Sequence, residues 1–128
     1  MQLHEFLGRI QQQAHLNSRE DALNATRATL ETLSERLQGG EPKDLASQLP
    51  RIAKDWVHEG PGERFDTNEF FRRVADHEGV DEATGRRHAD AVLCTISEAV
   101  DSGELQDVMS QLPKEYHSLF SNQRTRPS

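Results

Sequence analysis

Apolar residues recur at helical spacing in two stretches of the chain, on either side of a polar segment rich in glycine. The stripe positions in the first stretch are Leu3, Phe6, Leu7, Ile10, Ala14, Leu23, Thr26, Leu30, Leu33 and Leu37, and those in the second are Phe70, Phe71, Val74, Ala89, Val92, Leu93, Ile96 and Val100. Spacings of three and four residues place such positions on one face of a helix. No run of residues alternates with the period of two that is typical of a strand. The pattern therefore predicts an all-α protein.

A short segment that begins with Gly-Glu and ends with Gln-Leu-Pro lies in each stretch. We call residues 39–50 the first connector and residues 102–113 the second connector; one constant offset, which takes Gly40 to Gly103, relates them. A residue order that recurs at a fixed offset is typical of a duplicated unit. The sequence therefore predicts two tandem repeats of about four helices each, packed into one pseudo-symmetric helical bundle.

The predicted boundaries follow from the turn-rich segment at 59–64, which we interpret as a linker. Repeat 1 spans 1–58, repeat 2 spans 65–120, and the polar residues 121–128 form a flexible tail. A unit of roughly 60 residues is marginally stable alone. We therefore expect both repeats to pack together as a single helical domain over 1–120.

Helix starts are predicted where capping residues precede an apolar stripe. Asn17 or Ser18 can cap a long helix, whose first turn then carries acidic residues. Asp66 opens a capping box that ends at Glu69. These two positions therefore predict where the second helix of repeat 1 and the first helix of repeat 2 begin.

Each connector is expected to end one helix and to begin another. Gly40 and Gly103 lack a Cβ atom, so we expect them to end the preceding helix in the left-handed conformation. Pro50 and Pro113 disfavour helical geometry in the residue before them and so end the short helix.

Both connectors carry an aspartate and a glutamine four residues apart, Asp44 with Gln48 and Asp107 with Gln111. Side chains at this spacing share a helical face. Two interpretations stay open. The pairs bond the free backbone groups of helix ends, which need partners in any case, or they form two related polar recognition sites.

Composition narrows the classes of function. The 128 residues are enough for one domain, the formal net charge is −7 and the pI is about 5.3. A binder of nucleic acid or of an anionic membrane needs a basic face, so neither partner is expected. No apolar run approaches the ~20 residues of a membrane span, and no signal-peptide pattern follows Met1. With one cysteine, Cys94, no intramolecular disulfide forms, and we expect a cytoplasmic protein.

Several segments together resemble domain-of-unknown-function family 2267, a bacterial group. They are Glu5-Phe6-Leu7, the run at 39–50, Asn68-Glu69-Phe70, and 102–120, which reads SGELQDVMSQLPKEYHSLF. The resemblance covers nearly the whole chain and implies an all-helical fold. It implies no reaction, because the family has no assigned function and no catalytic motif to transfer. After Pro50 the first copy reads Arg-Ile-Ala where the second, after Pro113, reads Lys-Glu-Tyr.

Known catalytic and metal-binding patterns are missing from the sequence. The six histidines do not form the paired spacing of a zinc site, and neither a P-loop nor a nucleophile elbow occurs. The acidic run at 76–82 lacks the ligand order of a calcium-binding loop. Cys94 lies beside Leu93 on an apolar face, where a buried, unreactive thiol is expected. The sequence thus predicts no metal and no cofactor.

The leading hypothesis is a non-enzymatic helical module that binds another protein or a second copy of itself. Its candidate binding residues are Asp44, Gln48, Asp107, Gln111, Tyr116 and His117. Tyr116 has a second interpretation as an anchor of the core. The alternative hypothesis is an enzyme or a small-ligand-binding protein with a pocket between the repeats. Its polar candidates are His88, Asp107, Gln111 and His117, of which two or more should converge in that pocket.

Overall fold

The computed structural model describes residues 1–121 and is mostly helical, as predicted. Of the expected flexible tail at 121–128, all but Ser121 lies outside the described residues. The helices are α1 (Leu3–Ala14), α2 (Arg19–Arg36), α3 (Glu41–Ala46), a first 3-10 helix (Arg51–Trp56), α4 (Thr67–Glu78), α5 (Glu82–Ala99), α6 (Ser102–Ser110), α7 (Lys114–His117) and a second 3-10 helix (Ser118–Phe120). The helices α1 and α4 each have 12 residues, and α2 and α5 each have 18.

A short β-ladder is the one departure from the all-helical expectation in the described part of the chain. Strand β1 (Gln38–Gly39) pairs antiparallel with β2 (Gly60–Pro61). A Cβ atom on Gly60 would lie 2.0 Å from the carbonyl oxygen of Leu37, so only glycine permits this approach. The ladder ties the predicted linker to the end of α2.

Four helices begin in the same way, with a side-chain oxygen that accepts a hydrogen bond from the backbone N–H three residues later. The capping residues are Ser18, Asp66, Asp81 and Asp101, which start α2, α4, α5 and α6, with bonds of 2.8 to 3.1 Å. The predicted caps at Ser18 and Asp66 are confirmed. Because the caps fix the first residue of each helix, they also set where the preceding turn must end.

The predicted helix stops at Gly40 and Gly103 are wrong. Gly39, not Gly40, takes the left-handed conformation, with φ of 63°, and Gly40 instead precedes the first residue of α3. Gly103 lies inside α6, because Asp101 caps that helix and so draws the next residues into its first turn. Both glycines therefore belong to the start of a short helix and not to the end of a long one.

The long helices pack both within and across the two halves of the chain. Helix α1 packs on α2 and α5, α4 packs on α5 and α2, and α3 contacts α6. The predicted stripes line one continuous core; Leu3, at 38% exposure, and Leu23, partly buried, are its exceptions. Cys94 is buried, as expected. Within the described residues, no helix is long and apolar enough to cross a membrane.

Candidate functional site

The glutamines of the connectors each bond the other half of the molecule. The Gln48 carboxamide oxygen accepts from the backbone N–H of Asp101 at 2.8 Å, and its amide group donates to the Asp101 carboxylate at 3.1 Å. In return, the Gln111 oxygen accepts from the backbone N–H of Gln38 at 2.7 Å. The offset that relates the two connectors also takes Gln38 to Asp101. Each glutamine thus satisfies a backbone donor just beyond the long helix of the opposite half.

The aspartates that accompany these glutamines are exposed. The backbone carbonyls of Asp44 and Asp107 accept from the hydroxyls of Ser47, at 2.6 Å, and Ser110, at 2.7 Å. Each aspartate therefore takes part in a local bond through its backbone, while its carboxylate faces solvent. The predicted role of both aspartates in recognition stays a prediction.

Two glutamates meet between α3 and α6, which the sequence analysis did not anticipate. Glu104 is 9% exposed, and one carboxylate oxygen of Glu104 and one of Glu41 have no partner among the described residues. Burial, followed by the hydrogen bond and charge of Glu41 and by the charges of Asp44 and Asp107, raises the pKa of Glu104 to about 8. At neutral pH Glu104 therefore holds a proton, which it can donate to the Glu41 carboxylate.

Tyr116 anchors the segment after the second connector in the core. Its side chain is buried, and its hydroxyl donates to the carbonyl of Phe65 at 2.6 Å. Its ring meets Phe70 edge to face, with centroids 5.8 Å apart, and burial raises the pKa of the phenol. Tyr116 is thus buried in the core, as expected from its interpretation as a core anchor.

His117 follows Tyr116 but is exposed. Its Nε2 lies 3.1 Å from the carbonyl oxygens of both Met109 and Leu112. Since both partners are acceptors, Nε2 carries the proton and donates to them. His117 therefore adds a side-chain donor to carbonyl groups in and just beyond the C-terminal end of α6, of which that of Met109 also accepts from the backbone N–H of Leu112.

A cleft of about 420 Å³ lies between the end of α2, the linker and the second connector. We call it the cationic cleft; its lining residues are Arg36, Gln38, Gly62, Arg64, Ser110, Gln111, Leu112 and Pro113. In the described structure this lining contains two arginines and no acidic residue. Of the predicted binding residues, Gln111 lines this cleft. The ring of Tyr116 packs against the guanidinium of Arg36, and His117 hydrogen-bonds the carbonyl of Leu112, so both contact residues that line the cleft.

Arg36 is held rigidly in this cleft. The residue is only 8% exposed, its Nε donates to the carbonyl of Phe65 at 3.1 Å, and its guanidinium lies over the ring of Tyr116 at 5.1 Å. Arg64 lines the same cleft and is exposed. In the part of the chain that the structure describes, no carboxylate lies within ion-pair distance of either arginine. Two cations thus face one polar space without a counter-ion from residues 1–121.

The other predicted site residues lie elsewhere. His88 pairs with Glu78 and lines a different cleft, beside the turns α1–α2 and α4–α5. Asp107 lines neither cleft. The four residues of the alternative hypothesis therefore do not meet in one pocket.

Sequence reasoning missed Arg36, Arg64 and Glu78. A break in the repeat was the available signal, since Ala99 stands where the connector offset would place a second Arg36. Apolar spacing identifies buried positions only where the residues are apolar. It therefore does not predict that a charged residue such as Arg36, at the end of a stripe, is buried. Among the described residues, no group of three or more His, Cys, Asp or Glu side chains is arranged so that it could hold a metal ion.

Comparison with known proteins places the chain in a family. No curated protein matches the chain. The model of the family described as "Uncharacterized conserved protein (DUF2267)" matches residues 3–119, which confirms the resemblance found in the sequence. Since that match covers nearly the whole length, the chain belongs to this family.

Proposed function

We propose that the protein is a non-enzymatic interaction module that binds an acidic segment of a partner protein in the cationic cleft. The observation that carries this proposal is the presence of Arg36 and Arg64 in one cleft without a carboxylate partner among the described residues, in a chain of net charge −7. A guanidinium donates paired hydrogen bonds that match a carboxylate, which makes arginine a frequent choice for such recognition.

The supports of Arg36 fit a binding role. A cation held by Phe65 and stacked on Tyr116 has already lost its rotational freedom, so binding restricts it little further. Gln111 adds an amide N–H donor, whose distance of 3.5 Å to the Gln38 carbonyl leaves it poorly used inside the chain. A rigid cation, an exposed cation and an amide donor suit a carboxylate-bearing ligand.

We also propose that the module consists of two pseudo-symmetric repeats, 1–58 and 65–120, in a cytoplasmic protein. The paired helix lengths, the reciprocal glutamine bonds and the packing of α1 on α5 and of α4 on α2 support the repeat. On this proposal the duplicated connectors hold the halves together, and the partner binds where the halves differ.

A binding assay with defined peptides tests the function. The probe is a fluorescent, glutamate-rich peptide, and the matching glutamine-rich peptide controls for charge. We expect the acidic peptide alone to bind, and Arg64→Glu to abolish its binding. Arg51→Glu is the matched control, because Arg51 is exposed on the first 3-10 helix and does not line the cleft. Equal loss of binding in both variants would show general electrostatics and refute the assigned cleft.

A small anionic ligand is the second candidate for the same cleft, because a space of about 420 Å³ lies within the range of small-molecule sites. This corresponds to the predicted alternative of an enzyme or a small-ligand-binding protein. Thermal unfolding with acetate, citrate or phosphate, each against chloride at equal ionic strength, separates the candidates. A rise in melting temperature with a small anion, together with no binding of the acidic peptide, would favour the second.

A further inference from the structure

The geometry points to a second binding site, at Glu78 and His88, for a small zwitterion that carries an ammonium and a carboxylate group. This site is separate from the cationic cleft. It lies between the α1–α2 and α4–α5 turns, in a cleft of about 410 Å³. We call it the dyad cleft.

The pair at its centre is buried and only half satisfied. His88 Nδ1 lies 2.6 Å from a carboxylate oxygen of Glu78, and the two side chains are 6% and 5% exposed. His88 Nε2 and the second Glu78 oxygen are also buried, and neither has a partner among the described residues. Buried polar atoms are nearly always hydrogen-bonded in folded proteins. Two such atoms in one pair, in residues that line a cleft, indicate a ligand.

The hydrogen bond fixes what the ligand must supply. An ionised carboxylate only accepts, so the proton of the short contact lies on His88 Nδ1. In the neutral imidazole, Nε2 is then an acceptor, as is the second oxygen of Glu78. The pair therefore presents two acceptors and one negative charge. A primary ammonium group provides both the N–H donors and the opposite charge.

The rim of the cleft supplies the opposite chemistry. Arg87 and His15 line it, together with the acidic Asp21, and all three are exposed. An arginine at the rim recognises a carboxylate, so an ammonium at the pair and a carboxylate at the rim describe a free α-amino acid. Since Nε2 and the free oxygen are covered, a rim side chain must move when the ligand enters.

The other half of the chain indicates that the fold does not need this pair. Glu78 corresponds to Ala14, by the offset that takes Phe6 to Phe70, and His88 corresponds to Ala25, by the offset of the connectors. Both alanines are fully buried. Two positions that alanines fill in one half and a hydrogen-bonded Glu–His pair fills in the other are not explained by packing.

Ligand binding is tested by NMR, through the ring signals of His88 during titration with glycine at millimolar concentration. We expect a saturable change, with weaker binding of methylamine, which lacks the carboxylate, and of acetate, which lacks the ammonium. Glu78→Gln keeps the shape but removes the charge and should weaken glycine binding at least about tenfold. Glu82→Gln, an exposed change on the same helix as His88, is the control and should leave it unchanged.

The outcomes decide between a site and a purely structural pair. No saturable change with glycine overturns the proposal, as does equal binding to Glu78→Gln. Methylamine that binds as tightly as glycine overturns the zwitterion assignment. The double variant Glu78→Ala/His88→Ala, which copies the alanines of the other half, guards against misfolding. It should stay folded and lose glycine binding, which is followed in this variant through the backbone amide signals of Thr84 and Arg87 in the cleft.

Discussion

The two connectors share Gly-Glu, Asp and Ser-Gln-Leu-Pro at the same relative positions, yet in the described structure only the second lines the cationic cleft. Gln48 and Gln111 each accept a hydrogen bond from the backbone of the opposite half, at 2.8 and 2.7 Å. Beside Gln111 lie Arg36 and Arg64, whereas Ala99 stands where the repeat would place a second Arg36. The shared residues hold the halves together, and the residues that differ form the candidate site.

The turns at the other end of the molecule show the same contrast. His15 ends α1 and Gly79 ends α4, both in the left-handed conformation, with φ of 56° and 78°. Only glycine adopts this conformation without steric cost. The second half, which contains the Glu78–His88 pair, ends α4 with an unstrained glycine. The first half, which has alanines in place of that pair, ends α1 with a strained histidine that lines the dyad cleft.

The largest expected effect comes from Tyr116, which has Ala53 at the equivalent position of the first half. We expect Tyr116→Ala to lower the free energy of unfolding by ~3–5 kcal/mol, through the cavity that it leaves. Tyr116→Phe should cost about 1–2 kcal/mol, since it removes the donor to the Phe65 carbonyl. Urea denaturation measures both. A loss below about 1 kcal/mol for Tyr116→Ala, the size of an ordinary substitution, would contradict the anchoring role.

The proton held by Glu104 beside Glu41 predicts that the free energy of unfolding falls from mildly acidic to mildly alkaline pH. A raised pKa means that the folded state holds a proton which the unfolded state has released. The stabilisation is therefore complete below the ordinary glutamate pKa of 4.5 and is lost as the pH rises through about 8. The free energy of unfolding should fall by at most ~1.4 kcal/mol per pH unit across this range.

Denaturant titrations between pH 5 and 9, an interval set by the ordinary and raised pKa values, check this slope. Glu104→Gln should flatten it, since the amide does not ionise, and the exposed change Glu59→Gln should not. An unchanged slope in Glu104→Gln would show that Glu104 is not the group that releases a proton in this pH range.

The reciprocal glutamine bonds predict two nearly equal effects. Gln48→Ala and Gln111→Ala should each lower the free energy of unfolding by about 0.5–1.5 kcal/mol, because each leaves a backbone N–H without its acceptor. Unequal losses, with one substitution neutral, would show that only one connector holds the halves together.

The smallest expected effect is a gain. His15→Gly should raise the free energy of unfolding by up to about 1 kcal/mol, because glycine relieves the left-handed strain. Gly79→Ala should lower it by a similar amount. Thermal unfolding of the two variants measures the gain and the loss in stability. If His15→Gly lowered the stability instead, the imidazole of His15 would have to make a stabilising contact at the rim of the dyad cleft.

The helices were predictable from the sequence because apolar spacing and capping residues act locally. The stripe from Leu30 to Leu37 and the caps at Ser18 and Asp66 needed no knowledge of the fold. The meeting of Glu41 with Glu104, and of Arg36 with Gln111, depends on how distant helices pack. The stop at Gly103 failed for a local reason, since the cap at Asp101 outweighed the preference of the glycine.

An NMR titration with the glutamate-rich peptide tests the central claim most directly, because it compares Gln48 with Gln111 in one experiment. Both side-chain amides bond the opposite half, but only Gln111 lines the cationic cleft. We expect saturable shifts in the Gln111 amide and in the Nε–H signals of Arg36 and Arg64, with the Gln48 amide unchanged. The shifts should weaken as salt screens the charges. Equal shifts at Gln48 and Gln111, or none at Arg36 and Arg64, would contradict the account.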